Sequence, residues 1–279
     1  MIYCIACNQK FCYIYCCIFL SRDRNKRHIK SVCKMRSKQT AWKNFLVCAF
    51  ILFFLSCSYN KDPHNTLTEA EEKQQWKLLF DGQSLQGWHG YNEKKLPTAW
   101  RVQEGELQCI AKTLDLSHGD LVSDSLYRNF DLRFEWKIAK GGNSGVLINV
   151  QEDPKYGTTF MTGPEFQLLD NENDPVHRGD SNKIAGCMYG VVPQQGESRP
   201  RPFGQWNESR ILQQNGRIAF WLNGILTSDV TLNSEAWNRF LSKSTLRLYP
   251  DFGKSASGRI GLQDHNDSVS FRGIKVRPL

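Results

Sequence analysis

The residues best able to do chemistry lie in two short strand-like segments and combine a histidine, two carboxylates and two amides. The segment "GRIGLQDH" ends in Gln263, Asp264 and His265, and "GPEFQLLD" contains Glu165 and Gln167. Histidine suits proton transfer at neutral pH because its unperturbed pKa is about 6.5. We take His265 as the candidate general base and Glu165 as an alternative base or as the residue that orients His265.

Alternation of apolar and polar residues assigns these side chains to one side of a sheet, because residues i and i+2 of a strand share a face. Glu165 and Gln167 point away from the core, and so do Gln263 and, if the strand persists, His265. Asn149 of "GVLINV" and Glu135 of "DLRFEWKI" are likewise expected outside. The core set in the latter segment is Leu132, Phe134, Trp136 and Ile138.

The elements that must position these residues are almost all strands. Period-two segments rich in β-branched and aromatic residues, including "STLRLYP", are separated by Gly, Asn, Asp and Pro. Two Asn-Gly turns, Asn215-Gly216 and Asn223-Gly224, indicate tight hairpins. Helix is expected only at Ser234–Leu241 and, as a short piece, within Leu67–Gln75. About a dozen strands in residues 76–279 predict one all-β domain, an antiparallel β-sandwich of the jelly-roll type.

The positive charge is concentrated at the N-terminal end of the chain, and this distribution argues against a nucleic-acid partner. The protein has 279 residues and a formal charge of +8, but residues 1–56 hold ten Lys and Arg against one acid. The remainder has 26 basic and 27 acidic residues. A nearly neutral body without a basic stripe does not predict nucleic-acid binding.

The N-terminal segment is typical of export to the cell envelope. Residues 35–56 have a basic start, the apolar run Phe45–Leu55 and a small residue before Cys57. Eleven apolar residues are too few to span about 30 Å of hydrocarbon but suit a signal peptide. The pattern resembles a bacterial lipoprotein signal with Cys57 lipidated. A lipid is then the only expected contact with the membrane. The alternatives are a plain secretory signal and a membrane anchor. Residues 1–34 are then an over-extended start, and residues 57–75 a solvated tether.

Seven sequence blocks in order resemble the 3-keto-disaccharide hydrolase family over residues 76–279. They are "LFDGQSLQGW", "FDLRFEWKIAKGGNSGVLINV", "PEFQLLDN", "AGCMYGVV", "GQWNESRI", "WLNG" and "GLQDHNDSVSFRGIKV". The resemblance implies a concanavalin-like jelly roll that binds a carbohydrate on a sheet face. The chain departs from the family pattern at two positions: Gly273 stands where Asn is usual, and Asn149 stands where Arg is common.

The resemblance also implies a reaction. Oxidation of C3 acidifies the C2 hydrogen of a sugar, so that one base, here His265 or Glu165, can remove it and the C1 substituent can leave by β-elimination, with or without later addition of water. Two alternatives remain open. One is a non-catalytic carbohydrate-binding module; the other is a conventional glycosidase with two carboxylates about 5–10 Å apart, for which Glu135 and Glu165 are available.

Substrate-binding candidates are polar or aromatic, because amides bind hydroxyls and sugar rings lie on aromatic rings. They are Gln167, Asn149, Gln263, Glu135, Tyr189, Trp221 and Tyr249. For Glu135 a cross-strand salt bridge is an alternative role. His118 and His177 lie in loops that could close over the site, and for each we expect a loop role without chemistry.

No cofactor is required by this chemistry. The segment "DNENDP", residues 170–175, leaves a divalent cation such as Ca²⁺ open, although it lacks an EF-hand Gly and closing Glu. Cys109 and Cys187 either form a disulfide or are buried free thiols.

Overall fold

A computed structural model describes residues 63–279 of the chain, apart from Arg178. Within these residues the chain forms thirteen strands: β1 Lys77–Leu78, β2 Trp88–Gly90, β3 Trp100–Gln103, β4 Glu106–Cys109, β5 Leu121–Ser123, β6 Phe130–Ile138, β7 Asn143–Val150, β8 Glu165–Leu169, β9 Asn207–Gln214, β10 Arg217–Leu222, β11 Ile225–Thr231, β12 Arg259–Leu262 and β13 Val269–Pro278. The helices are α1 Glu69–Lys73, α2 Glu235–Lys243 and the 3-10 turns Pro63–Asn65, Thr159–Met161 and Thr245–Leu248.

The strands form two antiparallel sheets. The larger sheet has the order β11-β10-β9-β6-β13-β4-β3, with β1 added beside β13, and the smaller sheet has the order β2-β5-β12-β7-β8. Neighbours in the sheets are mostly far apart in sequence, as in the pairing of β6 with β13 and of β5 with β12. The predicted antiparallel β-sandwich is confirmed.

The two sheets are joined by an apolar core that the alternation of β6 predicts. Leu132, Phe134, Trp136 and Ile138 are all buried. Phe134 of the larger sheet meets Phe166 of the smaller sheet edge to face, with ring centroids 5.7 Å apart. Because Phe166 is inside, its neighbours Glu165 and Gln167 must point to the other side of β8.

The hairpin predictions are confirmed at both Asn-Gly turns. Asn215-Gly216 joins β9 to β10, and Asn223-Gly224 joins β10 to β11. All four turn residues have positive φ, between 50° and 82°. This is the geometry of the two-residue turns that match the twist of antiparallel strands, and it suits Asn and Gly.

The helix α2 confirms the predicted helix, whereas the strand predicted for "STLRLYP" is wrong. Ser234 caps α2 by accepting a hydrogen bond from the Trp237 amide. Directly after the helix, Ser244 caps a 3-10 turn over Thr245–Leu248 by accepting from the Leu246 amide. Leu246 is buried and Leu248 is exposed. A local serine cap therefore overrides the apolar alternation of this segment.

Residues 63–75, the described part of the predicted tether 57–75, pack on the larger sheet. Asn65 is buried; it donates to the Gly105 carbonyl at 2.8 Å and accepts from the Gly273 amide at 2.9 Å. Gly273 has φ +58°, a left-handed conformation that Asn also tolerates, which accounts for Gly where Asn is usual. Glu71 of α1, the expected short helix, pairs with Lys275.

The predicted export signal, the predicted lipidation of Cys57 and the predicted over-extended start all concern residues outside the described part of the chain. Among the residues that are described, no helix has the length and apolarity needed to cross a membrane. Cys109 and Cys187 are both buried and free, so a disulfide between them is not formed. Burial raises the pKa of both thiols, and they pack as small apolar residues.

Candidate active site

The outer face of the smaller sheet, which points away from the core, carries two neighbouring rows of side chains. The strand registers pair β5 with β12, β12 with β7 and β7 with β8. Across these strands the first row contains Val122, Gly261, Leu147 and Glu165. The second row contains Asp120, Gln263, Gly145 and Gln167, in which the Gln263 amide donates to the Gly145 carbonyl at 2.9 Å. The first row is therefore mainly apolar apart from Glu165. The second row beside it carries one carboxylate and two amides.

Gly145 leaves a gap in the second row, and the side chain of Glu165 fills it. A Cβ atom placed on Gly145 would lie 2.1 Å from Glu165 Oε1 and 2.6 Å from its carboxyl carbon. Real Cβ atoms do not approach carboxylates so closely, so glycine is needed at this position. The carboxylate is thereby directed over β7, towards Gln263 and Asp120.

Glu165 is almost completely buried, with 6% of its surface exposed. Burial, and secondly the charge of Asp120, raise the pKa of Glu165 to about 8, although a hydrogen bond from Gln263 acts in the other direction. With its amide nitrogen turned toward the carboxylate, Gln167 donates to Glu165 Oε1 at 3.1 Å. Gln263 Oε1 is buried and has no hydrogen-bond partner within the described part of the chain. The site thus combines a strongly basic carboxylate with an amide oxygen able to accept a hydrogen bond.

Asp120 is a fixed neighbour of Glu165 and is a residue that the sequence analysis missed. Its Oδ2 accepts a hydrogen bond from the Thr159 hydroxyl, and its Oδ1 accepts one from the Asp264 amide at 2.8 Å. Burial raises the pKa of Asp120 to about 6, against the effect of these hydrogen bonds. Both Asp120 oxygens already accept hydrogen bonds from other residues of the protein. Asp120 therefore affects the pKa of Glu165 through its charge.

His265 stands at the rim of this face, and the expected pairing with Glu165 is not formed. The strand β12 ends at Leu262. The His265 side chain is 52% exposed and lies near Asp267, with 3.8 Å between Nδ1 and Oδ2. The charge of His265 is near enough to lower the pKa of Asp120. In the described part of the chain no hydrogen bond or ion pair joins His265 to Glu165, and the exposed ring is open to a ligand.

Asp264, the residue between Gln263 and His265, holds a loop against the site. Its side chain is fully buried and accepts from His118 Nδ1 at 2.7 Å and from the Gly119 amide at 3.1 Å. His118 Nε2 is buried without a hydrogen-bond partner among the residues described. The polar end of "LQDH" is therefore a turn whose acid anchors the loop that carries Asp120.

Two predicted aromatic residues, Tyr189 and Tyr249, lie beside this face. The Tyr189 amide donates to the Glu165 carbonyl at 3.0 Å, which places Tyr189 directly opposite Glu165 across the edge of β8. Tyr249 meets Phe160 edge to face at 5.5 Å. Phe160 in turn packs on the apolar cluster of Val122, Leu147 and Val150.

Asn149 is not on the outer face, so the alternation-based expectation for it is wrong. Asn149 has φ +59°, and the pairing of β12 with β7 shifts register near it. This bulge turns Asn149 inward, where its Nδ2 donates to Gln213 Oε1 at 2.6 Å and its Oδ1 accepts from Gln213 Nε2 at 3.0 Å. Asn149 therefore joins the two sheets, because an extra residue in a strand reverses the faces beyond it.

Glu135 and Trp221 lie on the opposite side of the sandwich from Glu165. Both line a cavity of about 510 Å³ on the outer face of the larger sheet. Glu135 Oε2 pairs with Arg272 on the next strand, at 2.9 Å to Nε and 2.7 Å to Nη2. Glu135 thus forms a cross-strand salt bridge, the alternative role predicted for it. Packed sheets are about 10 Å apart. Glu135 and Glu165 point outward from different sheets, and the structure does not bring them together.

Two carboxylates of the segment 170–175, those of Asp170 and Asp174, accept hydrogen bonds that hold this loop and the neighbouring loop at Gly141. Asp170 Oδ2 accepts from the Gly141 amide and from Asn173 Nδ2, both at 2.8 Å. Asp174 Oδ1 accepts from the amides of Val176 and His177. The described residues contain no group of three or more His, Cys, Asp or Glu side chains placed to hold a metal ion.

Fold and site together define an antiparallel β-sandwich with a buried, basic carboxylate among amides on one sheet face. Residues 75–277 match the model of the 3-keto-alpha-glucoside-1,2-lyase-like domain, and the chain belongs to this family. It is 31% identical to a 3-keto-disaccharide hydrolase of Bacteroides thetaiotaomicron over 228 residues, which are 72% of this chain and 77% of that protein. The family therefore acts on glycosides.

Two solved structures from Parabacteroides distasonis, each described as a candidate glycosyl hydrolase, are similar to this chain. The first is 34% identical with a TM-score of 0.70, covering 77% of this chain and 99% of the other. The second is 22% identical with a TM-score of 0.55, covering 73% and 99%, and shows the fold alone.

Proposed function

We propose that this protein cleaves 3-keto-glycosides by removing the proton at C2 and then eliminating the C1 substituent. The observation that carries the proposal is the Glu165 carboxylate, buried over Gly145 with a raised pKa of about 8. A base of that strength suits a carbon acid that an adjacent carbonyl has activated. The name of the Bacteroides thetaiotaomicron relative, a 3-keto-disaccharide hydrolase, supports the substrate class.

Glu165 is the base in this proposal. Its carboxylate takes the C2 proton, and the electrons of the C–H bond move into an enolate whose charge lies on the C3 oxygen. The enolate then expels the C1 oxygen with its bonding pair, leaving an enone. Gln263 holds a sugar hydroxyl, since its Oε1 has no hydrogen-bond partner among the described residues. Gln167, which is buried, holds the Glu165 carboxylate in place. Addition of water to the enone would complete a net hydrolysis.

Asp120 strengthens the base and is not a second catalytic carboxylate. Both of its oxygens accept protein hydrogen bonds, and its charge raises the pKa of Glu165. His265, exposed at the rim, is assigned to contact with the substrate. We therefore prefer Glu165 to His265 as the base, which reverses the preference drawn from the sequence. The reason is that burial raises the pKa of Glu165 above that of an exposed carboxylate.

The test uses the purified protein with a 3-keto-glucoside that carries a chromogenic leaving group, in deuterated buffer, beside the unoxidised parent glycoside. Release from the keto sugar alone, with deuterium at C2 of recovered substrate, is the expected result. Glu165→Gln should abolish release and exchange, and His265→Asn should reduce kcat/KM by less. Release from the unoxidised glycoside would favour a conventional glycosidase, and binding without release a carbohydrate-binding module. If His265→Asn stops exchange while Glu165→Gln retains it, His265 is the base.

We also propose that the protein is held in the cell envelope by a lipid on Cys57. The support is the order of a basic start, the apolar run Phe45–Leu55 and a small residue before this cysteine. Metabolic labelling with a fatty acid should mark the full chain, and Cys57→Ser should remove both the label and the membrane association. A labelled Cys57→Ser protein would contradict the anchor.

A further inference from the structure

Tyr189 faces the same side of the smaller sheet as Glu165. Met188 pairs with Phe166 in an antiparallel bridge, and both side chains are in the core. Because neighbouring residues alternate, Tyr189 and Glu165 both turn outward and lie directly opposite each other. Side chains opposite each other in antiparallel strands have Cβ atoms about 5 Å apart. The phenol and the carboxylate therefore stand on the same side of the sheet, on directly opposite residues.

Behind Tyr189 lies a chain of two buried polar side chains. Tyr189 Oη is 3.4 Å from His177 Nε2, and the two rings meet edge to face at 5.9 Å. His177 Nδ1 is 3.1 Å from Asp174 Oδ1. His177 and Asp174 are 9% and 5% exposed. A carboxylate only accepts, so His177 Nδ1 donates to Asp174, and Nε2 lies within hydrogen-bonding distance of the Tyr189 hydroxyl.

The packing of a sugar ring on Tyr189 does not require a polar partner for its hydroxyl, and His177 supplies one. Asp174 is itself held by the amides of Val176 and His177, at 2.9 Å and 2.6 Å to the same oxygen. The carboxylate thus orients the imidazole, and the imidazole orients the phenol. Burial raises the pKa of Tyr189, so the hydroxyl keeps its proton at neutral pH and is available as an acid.

We propose that Tyr189 protonates the departing C1 oxygen, and that His177 and Asp174 are positioning residues that hold its hydroxyl for this step. The inference rests on the proposed elimination, which needs an acid for the leaving group as well as a base for C2. It gives Tyr189 a chemical role in place of ring stacking, and it gives the His177 loop a function that the sequence did not indicate.

The protons and electrons of the step balance within this pair. Glu165 takes the C2 proton, and the electron pair passes through the enolate into a C1–C2 double bond as the bond from C1 to the leaving oxygen breaks. That oxygen takes the proton of the Tyr189 hydroxyl and departs as an alcohol. The resulting phenolate lies beside protonated Glu165, which returns one proton to it. The C2 hydrogen is in effect transferred to the leaving alcohol.

The experiment compares two substrates with the same 3-keto sugar. One carries 4-nitrophenol, which leaves readily without protonation, and the other carries a simple alcohol, which does not. Tyr189→Phe should lower kcat/KM for the alcohol substrate by about 10²-fold or more and for the nitrophenyl substrate by only about threefold. His177→Gln should give the same pattern, and the double variant should be no slower than Tyr189→Phe. Tyr127→Phe, which removes a hydroxyl next to Phe130 away from the site, is the control.

Each other outcome has a definite meaning. Equal slowing of both substrates, or no slowing of either, overturns the acid role while leaving the elimination intact. If wild-type protein releases neither leaving group and shows no C2 exchange, the proposed function fails and takes this inference with it. Thermal unfolding of each variant shows that it is folded. A leaving-group dependence in Tyr189→Phe that is absent from His177→Gln would leave Tyr189 as the acid and overturn the role of His177.

Discussion

Gly145 and Glu165 share one space on the smaller sheet, because the carboxylate of Glu165 occupies the position of a missing side chain at 145. The distance from a Cβ on Gly145 to Glu165 Oε1 would be 2.1 Å. The two residues come from neighbouring strands, where Gly145 pairs with Gln167 and Leu147 with Glu165. The direction of the proposed base is thus set by a glycine on the next strand.

Gly145→Ala should displace the carboxylate and reduce kcat by about 10²-fold or more, since proton transfer depends on the position of the base. The matched control is Gly261→Ala, one strand away on the same face. Its Cβ would meet Leu147 at an ordinary 3.5 Å. Steady-state kinetics on the chromogenic keto sugar measure both variants. Equal activities in the two would contradict the assignment of Glu165.

The rate should depend on pH through the ionisation of Glu165. A base must be deprotonated to act, and the pKa of Glu165 is raised to about 8. We therefore expect kcat/KM to rise from pH 6 and to level off above about pH 8. A pH profile with the nitrophenyl substrate, in which leaving-group protonation matters least, measures this. A rate that is constant between pH 6 and pH 9 would exclude Glu165 as the base.

Glu165 should also make the folded protein less stable as pH rises. Its pKa is raised in the folded state from the usual 4.5 to about 8, so folding favours the protonated form. The stabilisation is complete below about pH 4.5 and is lost progressively up to about pH 8, at about 1.4 kcal/mol per pKa unit.

Glu165→Gln cannot ionise and should lack this loss. Urea unfolding at pH 5 and pH 9 should therefore show the variant gaining stability over wild type at the higher pH. Glu172→Gln, on an exposed loop, should show no such gain. Parallel pH dependences of wild type and Glu165→Gln would contradict the raised pKa.

Asn149 should matter for stability and not for substrate binding. Asn149→Gly removes the two hydrogen bonds to Gln213 but keeps a residue suited to φ +59°. We expect it to cost about 1–3 kcal/mol of unfolding free energy. Asn149→Ala should cost about 1 kcal/mol more, because its Cβ disfavours the left-handed conformation. KM should change little in both, and a raised KM with unchanged stability would place Asn149 in the site.

Glu135→Gln should leave turnover nearly unchanged. Glu135 pairs with Arg272 on the far side of the sandwich, and a partly exposed ion pair contributes about 0–1 kcal/mol. We expect kcat/KM within about twofold of wild type, against a loss of 10²-fold or more for Glu165→Gln under the same conditions. Similar large losses in Glu135→Gln and Glu165→Gln would restore the two-carboxylate alternative.

The sequence predicted the sheets well where side chains alternate without interruption. The faces of β6 and β8 follow from period two, and the core positions of β6 are all buried. Both Asn-Gly hairpins and the helix α2 have strong local signals. The prediction failed where one residue departs from the period. The bulge at Asn149 reverses a face, and the cap at Ser244 replaces a strand by a 3-10 turn.

The sequence by itself determined the fold class, the outward direction of Glu165, Gln167 and Gln263, and the blocks shared with the family, because these depend on local alternation and on residue order. Only the tertiary structure decided which carboxylate is basic, since burial and the charge of Asp120 arise from strands far apart in sequence. It also separated Glu135 from Glu165 and joined Asp174, His177 and Tyr189. Contacts between distant segments depend on how the strands pair, and no local pattern encodes that pairing.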